Sequence, residues 1–101
     1  MKENETINGI DAQGNKIAEQ YNYDERLTLA ITEITAEVRR AKTLFPVNFH
    51  NQHEAYAVIL EEVDELWDEI KKNQKRYDLP AQRTEAKQAA AMLVRLMVEL
   101  L

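Results

Sequence analysis

No glycine or proline follows Pro80 in this 101-residue chain. Nothing in residues 81–101 therefore interrupts a helix. Within residues 84–101, Ala86, Ala89, Leu93, Leu96, Met97 and Leu100 recur along one helical face, and Ala90, Ala91, Val94 and Val98 along a second. A helix that is apolar nearly all round has to be buried on several sides. A chain this short cannot easily cover such a helix with the remainder of one copy. The expected architecture is an all-α helical bundle completed by oligomerisation, as a dimer or a dimer of dimers.

The same periodicity organises the chain upstream. Residues 23–45 carry Leu27, Ile31, Ile34, Val38, Ala41 and Phe45 at steps of four and three, the stripe of an amphipathic helix. Asn22 with Glu25 suits its amino end, and Pro46 stops it by disfavouring helix in the residue before it. A second helix opens at Asn51, with Glu54 three residues on, a capping-box spacing. Tyr56, Ile59, Leu60, Val63, Leu66, Trp67 and Ile70 then fill an arc of about 120°, centred on Val63 and Ile70. The segment KKNQKRYD ends it, and Pro80 suits the first turn of the third helix. Residues 1–21 are polar, with turn signals at Asn8-Gly9 and Gln13-Gly14. They are expected as an arm outside the helical domain of residues 22–101, with a small hairpin as the alternative.

The second helix raises a question of charge. Residues 61–69 hold six carboxylates and no cation. On a wheel of about 100° per residue, Glu62, Glu65 and Glu69 form an acidic edge, with Glu62 and Glu69 bordering the apolar face. Like charges one turn apart cost a few tenths of a kcal/mol each. Glu85 of the third helix falls inside an apolar stripe, and Gln88 stands one turn on at its margin. A lone buried carboxylate costs several kcal/mol unless it is paired or neutralised. Two readings answer this. Either Glu62, Glu65 and Glu85 share a hard divalent cation such as magnesium, or Glu85 pairs with a base such as Arg83 or Lys72 or sits near the frayed start of its helix.

Composition narrows the classes. A net charge of -5 and a pI near 5.0 argue against binding to nucleic-acid polymers or anionic membranes. The absence of cysteine excludes disulfides and thiolate metal sites. No apolar run spans a bilayer and no signal peptide is visible, so a cytoplasmic location is expected. His50 and His53 bracket the start of the second helix but lack a third nitrogen or sulfur ligand for zinc, and His53 is read as structural, near the helix start. Trp67 is read as core or interface, and Arg39, Arg40 and Lys42 as a solvated face.

HEAYAVILEEVDELWDEI followed by EAKQAAAMLVRLMVEL resembles the MazG-like nucleotide pyrophosphohydrolases of the all-α NTP pyrophosphatase superfamily. The resemblance covers residues 48–101. The signature of that family is ExxE on one helix and ExxD on a later one. Glu62 and Glu65 match the first motif, and Glu85 opens the second, with Gln88 where the family has aspartate. The resemblance implies hydrolysis of a nucleoside triphosphate to the monophosphate and pyrophosphate. It implies Mg²⁺, or Mn²⁺, held by Glu62, Glu65, Glu85 and Gln88, with Glu69 as a further ligand. Glu61 is expected as the general base. Lys71, Lys72 and Arg76 are expected near the outer phosphates, from their charge and position. The competing expectation is a catalytically reduced helical module that binds nucleotide or protein through the same surface, and Gln88 is the residue that favours it.

Overall fold

A computed structural model describes residues 15–72 and 78–101, with side chains from residue 22 onward. The described residues form three helices and no strand: α1 (Asn15–Leu44), α2 (Gln52–Ile70) and α3 (Leu79–Glu99). No helix among them is long and apolar enough to cross a membrane. The chain divides into two units, with the boundary inside α1 between Thr32 and Glu33. In the first unit the helix carries Tyr23, Leu27, Leu29 and Ile31 as exposed side chains. Asn22 lies within α1 and does not cap it, because the chain is already helical at Asn15. Residues 15–21, read from their polarity as part of an arm, are helix, and residues 1–14 lie outside the described residues. Polarity kept them out of the apolar stripe, but polarity does not forbid helix.

The second unit contains the core. α1 ends at Leu44, ahead of Pro46, and the Phe45 N–H still donates to the Ala41 carbonyl at 2.8 Å. Lys42 closes this end by donating to the Pro46 carbonyl at 2.9 Å and to Asn48 Oδ1 at 2.6 Å. A cation in the last helical turn also suits the helix dipole. Asn51 caps α2, accepting from the Glu54 N–H at 2.9 Å. Glu54 reaches back one residue further than in the usual box, accepting from the His50 N–H at 2.6 Å. Asp78 caps α3 through the Ala81 N–H at 3.0 Å, with Pro80 in the first turn.

α2 and α3 run antiparallel. Glu65 lies beside Glu85, near the start of α3, while Phe49, just before α2, meets Glu99 at the end of α3. The core comprises Ala41, Phe49, Ala55, Ile59, Ala91 and Met92, with Val38, Val58, Leu96 and Leu100 packed against it. This corrects the orientation of α2. Its packed side carries Ala55, Ile59, Glu62, Leu66 and Glu69, whereas Val63 and Ile70, expected at the centre of the buried arc, are exposed. α3 fits against the edge of the apolar arc nearest the glutamates, and α1 contributes only Val38 and Ala41 to the core.

Candidate functional site

Three carboxylates converge where α2 meets the start of α3. One oxygen from each of Glu62, Glu65 and Glu85 lies within 4.8 Å of the other two. The ExxE spacing sets Glu62 and Glu65 one turn apart on α2. Antiparallel packing then brings Glu85 opposite them. Glu62 and Glu85 are half-buried, and each has a buried oxygen, Oε1, without a hydrogen-bond partner. The bases considered as partners for Glu85 are engaged elsewhere. Arg83 grips Glu33 of α1 at 3.0 and 3.2 Å, and Lys72 holds Glu69 at 3.0–3.1 Å.

The electrostatics follow from this geometry. Burial pushes the Glu62 carboxyl above the ordinary carboxylate value, and the charges of Glu65, Glu85, Glu61 and Glu37 push it further. Glu85 is raised by burial, by the charge of Glu65 and the hydrogen-bonding approach of its side chain, and by the charge of Glu69. Two carboxyls pushed towards their neutral forms, first by burial and then by neighbouring carboxylates, make a cluster that could hold a cation. Three hard oxygen donors would suit magnesium or manganese better than a soft metal, and Gln88 lines the same cavity as Glu62.

Beside the cluster opens a cavity of about 580 Å³. Glu62 and Gln88 line it at the cluster's side. Phe45, Val47, Phe49 and Met92 give it apolar walls, and Arg40, Asn48 and His50 add polar groups. A mostly apolar hollow with a few convergent polar groups is the usual form of a small-molecule site. The wall is held by a buried ion pair. Arg95 donates to Glu99 at 2.7 and 3.2 Å, to the Val47 carbonyl at 3.3 Å, and lies 4.4 Å from the centroid of the Phe49 ring. Glu99 in turn accepts from the Phe49 N–H at 2.8 Å. One pair on α3 thus fastens both ends of the 47–49 segment.

The other expected site residues are distributed as follows. Glu61 is exposed and close enough to raise Glu62. Glu69 lies outside the converging trio and pairs with Lys72. Lys71 pairs with Asp68 at 3.2 Å. Arg76 lies outside the described residues. His50 meets Glu54 at 3.4 Å, and His53, read as structural near the helix start, is exposed. Arg40 is not merely a solvated face. It lines the cavity and binds Glu37 through two bonds of 3.0 and 2.7 Å.

Sequence reasoning missed Glu37, Arg95 and Glu99. Glu37 is buried and lines the cavity with Glu62. Its signal was its position one turn before Ala41, on the apolar stripe of α1. Arg95 and Glu99 were legible only as an i,i+4 pair of opposite sign in an otherwise apolar run. No family model, curated protein or solved structure matches the chain.

Proposed function

We propose that the protein is a magnesium-dependent nucleoside triphosphate pyrophosphohydrolase of the MazG-like kind, working as a homo-oligomer. The observation that carries this reading is the meeting of Glu62, Glu65 and Glu85 from two helices beside a cavity of about 580 Å³. Glu62, Glu65 and Glu85, with the neutral oxygen of Gln88, hold the ion. When bound, Mg²⁺ or Mn²⁺ neutralises phosphate charge and polarises the phosphoryl oxygens. The cavity takes the nucleoside, with Phe45 and Phe49 offering apolar surface and Asn48 a hydrogen-bonding edge. Arg40, at the same cavity, supplies positive charge towards the phosphates. Glu61 takes the proton from the water that attacks the α-phosphorus. The α–β bridging oxygen leaves with pyrophosphate as its P–O bond breaks.

Gln88 favours a second reading, because an amide in place of a carboxylate removes one negative charge from the ligand set. On that reading the same surface binds nucleotide without turnover. The test is to incubate the protein with each NTP and dNTP plus Mg²⁺ or Mn²⁺ and to measure pyrophosphate. The first reading expects release from at least one of them, lost in Glu62→Gln. Failure to release pyrophosphate from any nucleotide, with a nucleotide-dependent rise in melting temperature, selects the binding module.

A further inference from the structure

We infer that the cavity selects nucleotides by the edge of the base, favouring a carbonyl oxygen over an amino group in the same place, through an Asn48 amide that Lys42 locks in one orientation. The inference rests on the nucleotide reading of the site and names its substrate class.

The 45–49 segment offers a donor and turns its acceptors away. Lys42 Nζ donates to Asn48 Oδ1 at 2.6 Å and to the Pro46 carbonyl at 2.9 Å. An ammonium has no lone pair, so it can meet only the oxygen of the Asn48 amide. The identity of this partner settles which way round the amide stands. Lys42 is itself held, with Glu99 Oε2 at 3.7 Å as its counter-charge. The amide nitrogen of Asn48 is then the group left for a ligand, and nothing among the described residues takes it up. The oxygens nearby are engaged. The Val47 carbonyl accepts from Arg95 at 3.3 Å. Of the carboxylates lining the cavity, Glu37 is gripped by Arg40 through both oxygens, and Glu54 accepts from the His50 N–H at 2.6 Å.

The layout of the cavity brings a base to this donor. Glu62 and Gln88 stand at the acidic cluster, near the start of α3, whereas the 45–49 segment lies where Phe49 meets Glu99 at the end of α3. A nucleotide with its phosphates at the cluster extends its base towards Phe45 and Asn48. Phe45 is 65% exposed on the cavity wall and offers a ring face to a flat base. Stacking accepts every base, so discrimination falls to the hydrogen bond. Uracil and cytosine differ by C=O against C–NH₂ at one ring carbon, with a proton gained or lost at the neighbouring nitrogen. Hypoxanthine and adenine differ in the same way. The Asn48 amide nitrogen donates to the carbonyl. Set against the amino group, it meets another donor and both lose their partner.

Binding can be measured without turnover by calorimetry on the full chain, with Mg²⁺ and the α,β-methylene analogues of UTP, CTP, ITP and ATP. In the better-bound pair the carbonyl member should bind about 10-fold or more tightly. Asn48→Asp puts an oxygen in place of the amide nitrogen and should reverse the preference. Its added charge weakens both members alike and drops out of the ratio. Lys42→Met frees the amide to turn and should bring the ratio close to one, whereas Lys42→Arg, which still donates, should keep it. A merely loosened loop would lower both affinities and leave the ratio standing. Equal binding within both pairs, or preference for the amino member, overturns the proposal. So does a ratio left unchanged by Asn48→Asp or by Lys42→Met. If one variant fails to fold, the other decides. Absence of binding by all four analogues overturns it together with both nucleotide readings. A carbonyl preference with no pyrophosphate released from the parent nucleotides sinks only the enzymatic reading, and release without a preference sinks this inference alone.

Discussion

At the scale of single residues, Glu85 carries the argument. Its folded value lies above the unfolded one, so between the two the folded protein holds more protons than the unfolded chain. The stability contribution of Glu85, like that of Glu62, is therefore present at low pH and falls as pH rises above the ordinary carboxylate range. Glu85→Gln removes this loss. In metal-free buffer at neutral pH it should raise stability by about 0.5–1 kcal/mol, while abolishing Mn²⁺ binding by calorimetry. A drop in the metal-free melting temperature would show that the cluster is not repulsive. The expectation that Glu85 lies inward was legible because helical periodicity places a residue on its own helix. Whether a base would neutralise it was not legible. Arg83 and Lys72 were both near enough in sequence, and only packing against α1 gave Arg83 to Glu33.

At the scale of elements, local chemistry wrote the helix ends clearly. Asn51 and Asp78 cap through their own side chains, and such bonds need no tertiary contact. Asn51→Ala should cost about 1 kcal/mol in urea unfolding, with the dependence on denaturant unchanged. An effect of a few tenths would mean that the Glu54 bond to the His50 N–H holds this end alone. The amino end of α1 was misplaced for the converse reason. Helix propensity in polar residues leaves no periodic trace, so the helix at Asn15–Tyr21 was invisible to a search for stripes. The rotation of α2 was missed because its apolar arc is wide. An arc of about 120° can present either edge to a neighbour, and the choice rests with α3.

For the molecule as a whole, the Arg95–Glu99 pair decides whether the cavity keeps its wall. Burial pushes the Glu99 carboxyl up, but hydrogen bonds from Arg95 and the Phe49 N–H, with the charges of Arg95 and Lys42, outweigh it and hold it below the usual value. The sign is opposite to that of Glu85. Stability from Glu99 is present above the unfolded carboxylate value and is lost as pH falls through the lowered folded one. Glu99→Gln leaves Arg95 buried without its counter-charge and should cost about 3 kcal/mol at neutral pH. The gap from wild type should narrow in acid, as measured by urea unfolding across pH. A gap of constant size would mean that the charge of Glu99 contributes nothing. Three helices, the Asn51 cap and the candidate ExxE pair follow from the order of residues, because periodicity and capping act over about four residues. The meeting of Glu85 with Glu62 and Glu65, the burial of Glu37 and Arg95, and the apolar side left open on α2 and α3 were decided only by the folded chain. Each depends on the angle at which one helix is turned towards another. That angle is set by the packing of distant side chains, such as Ile59, Ala91 and Met92 in one core cluster, and no short-range pattern encodes it.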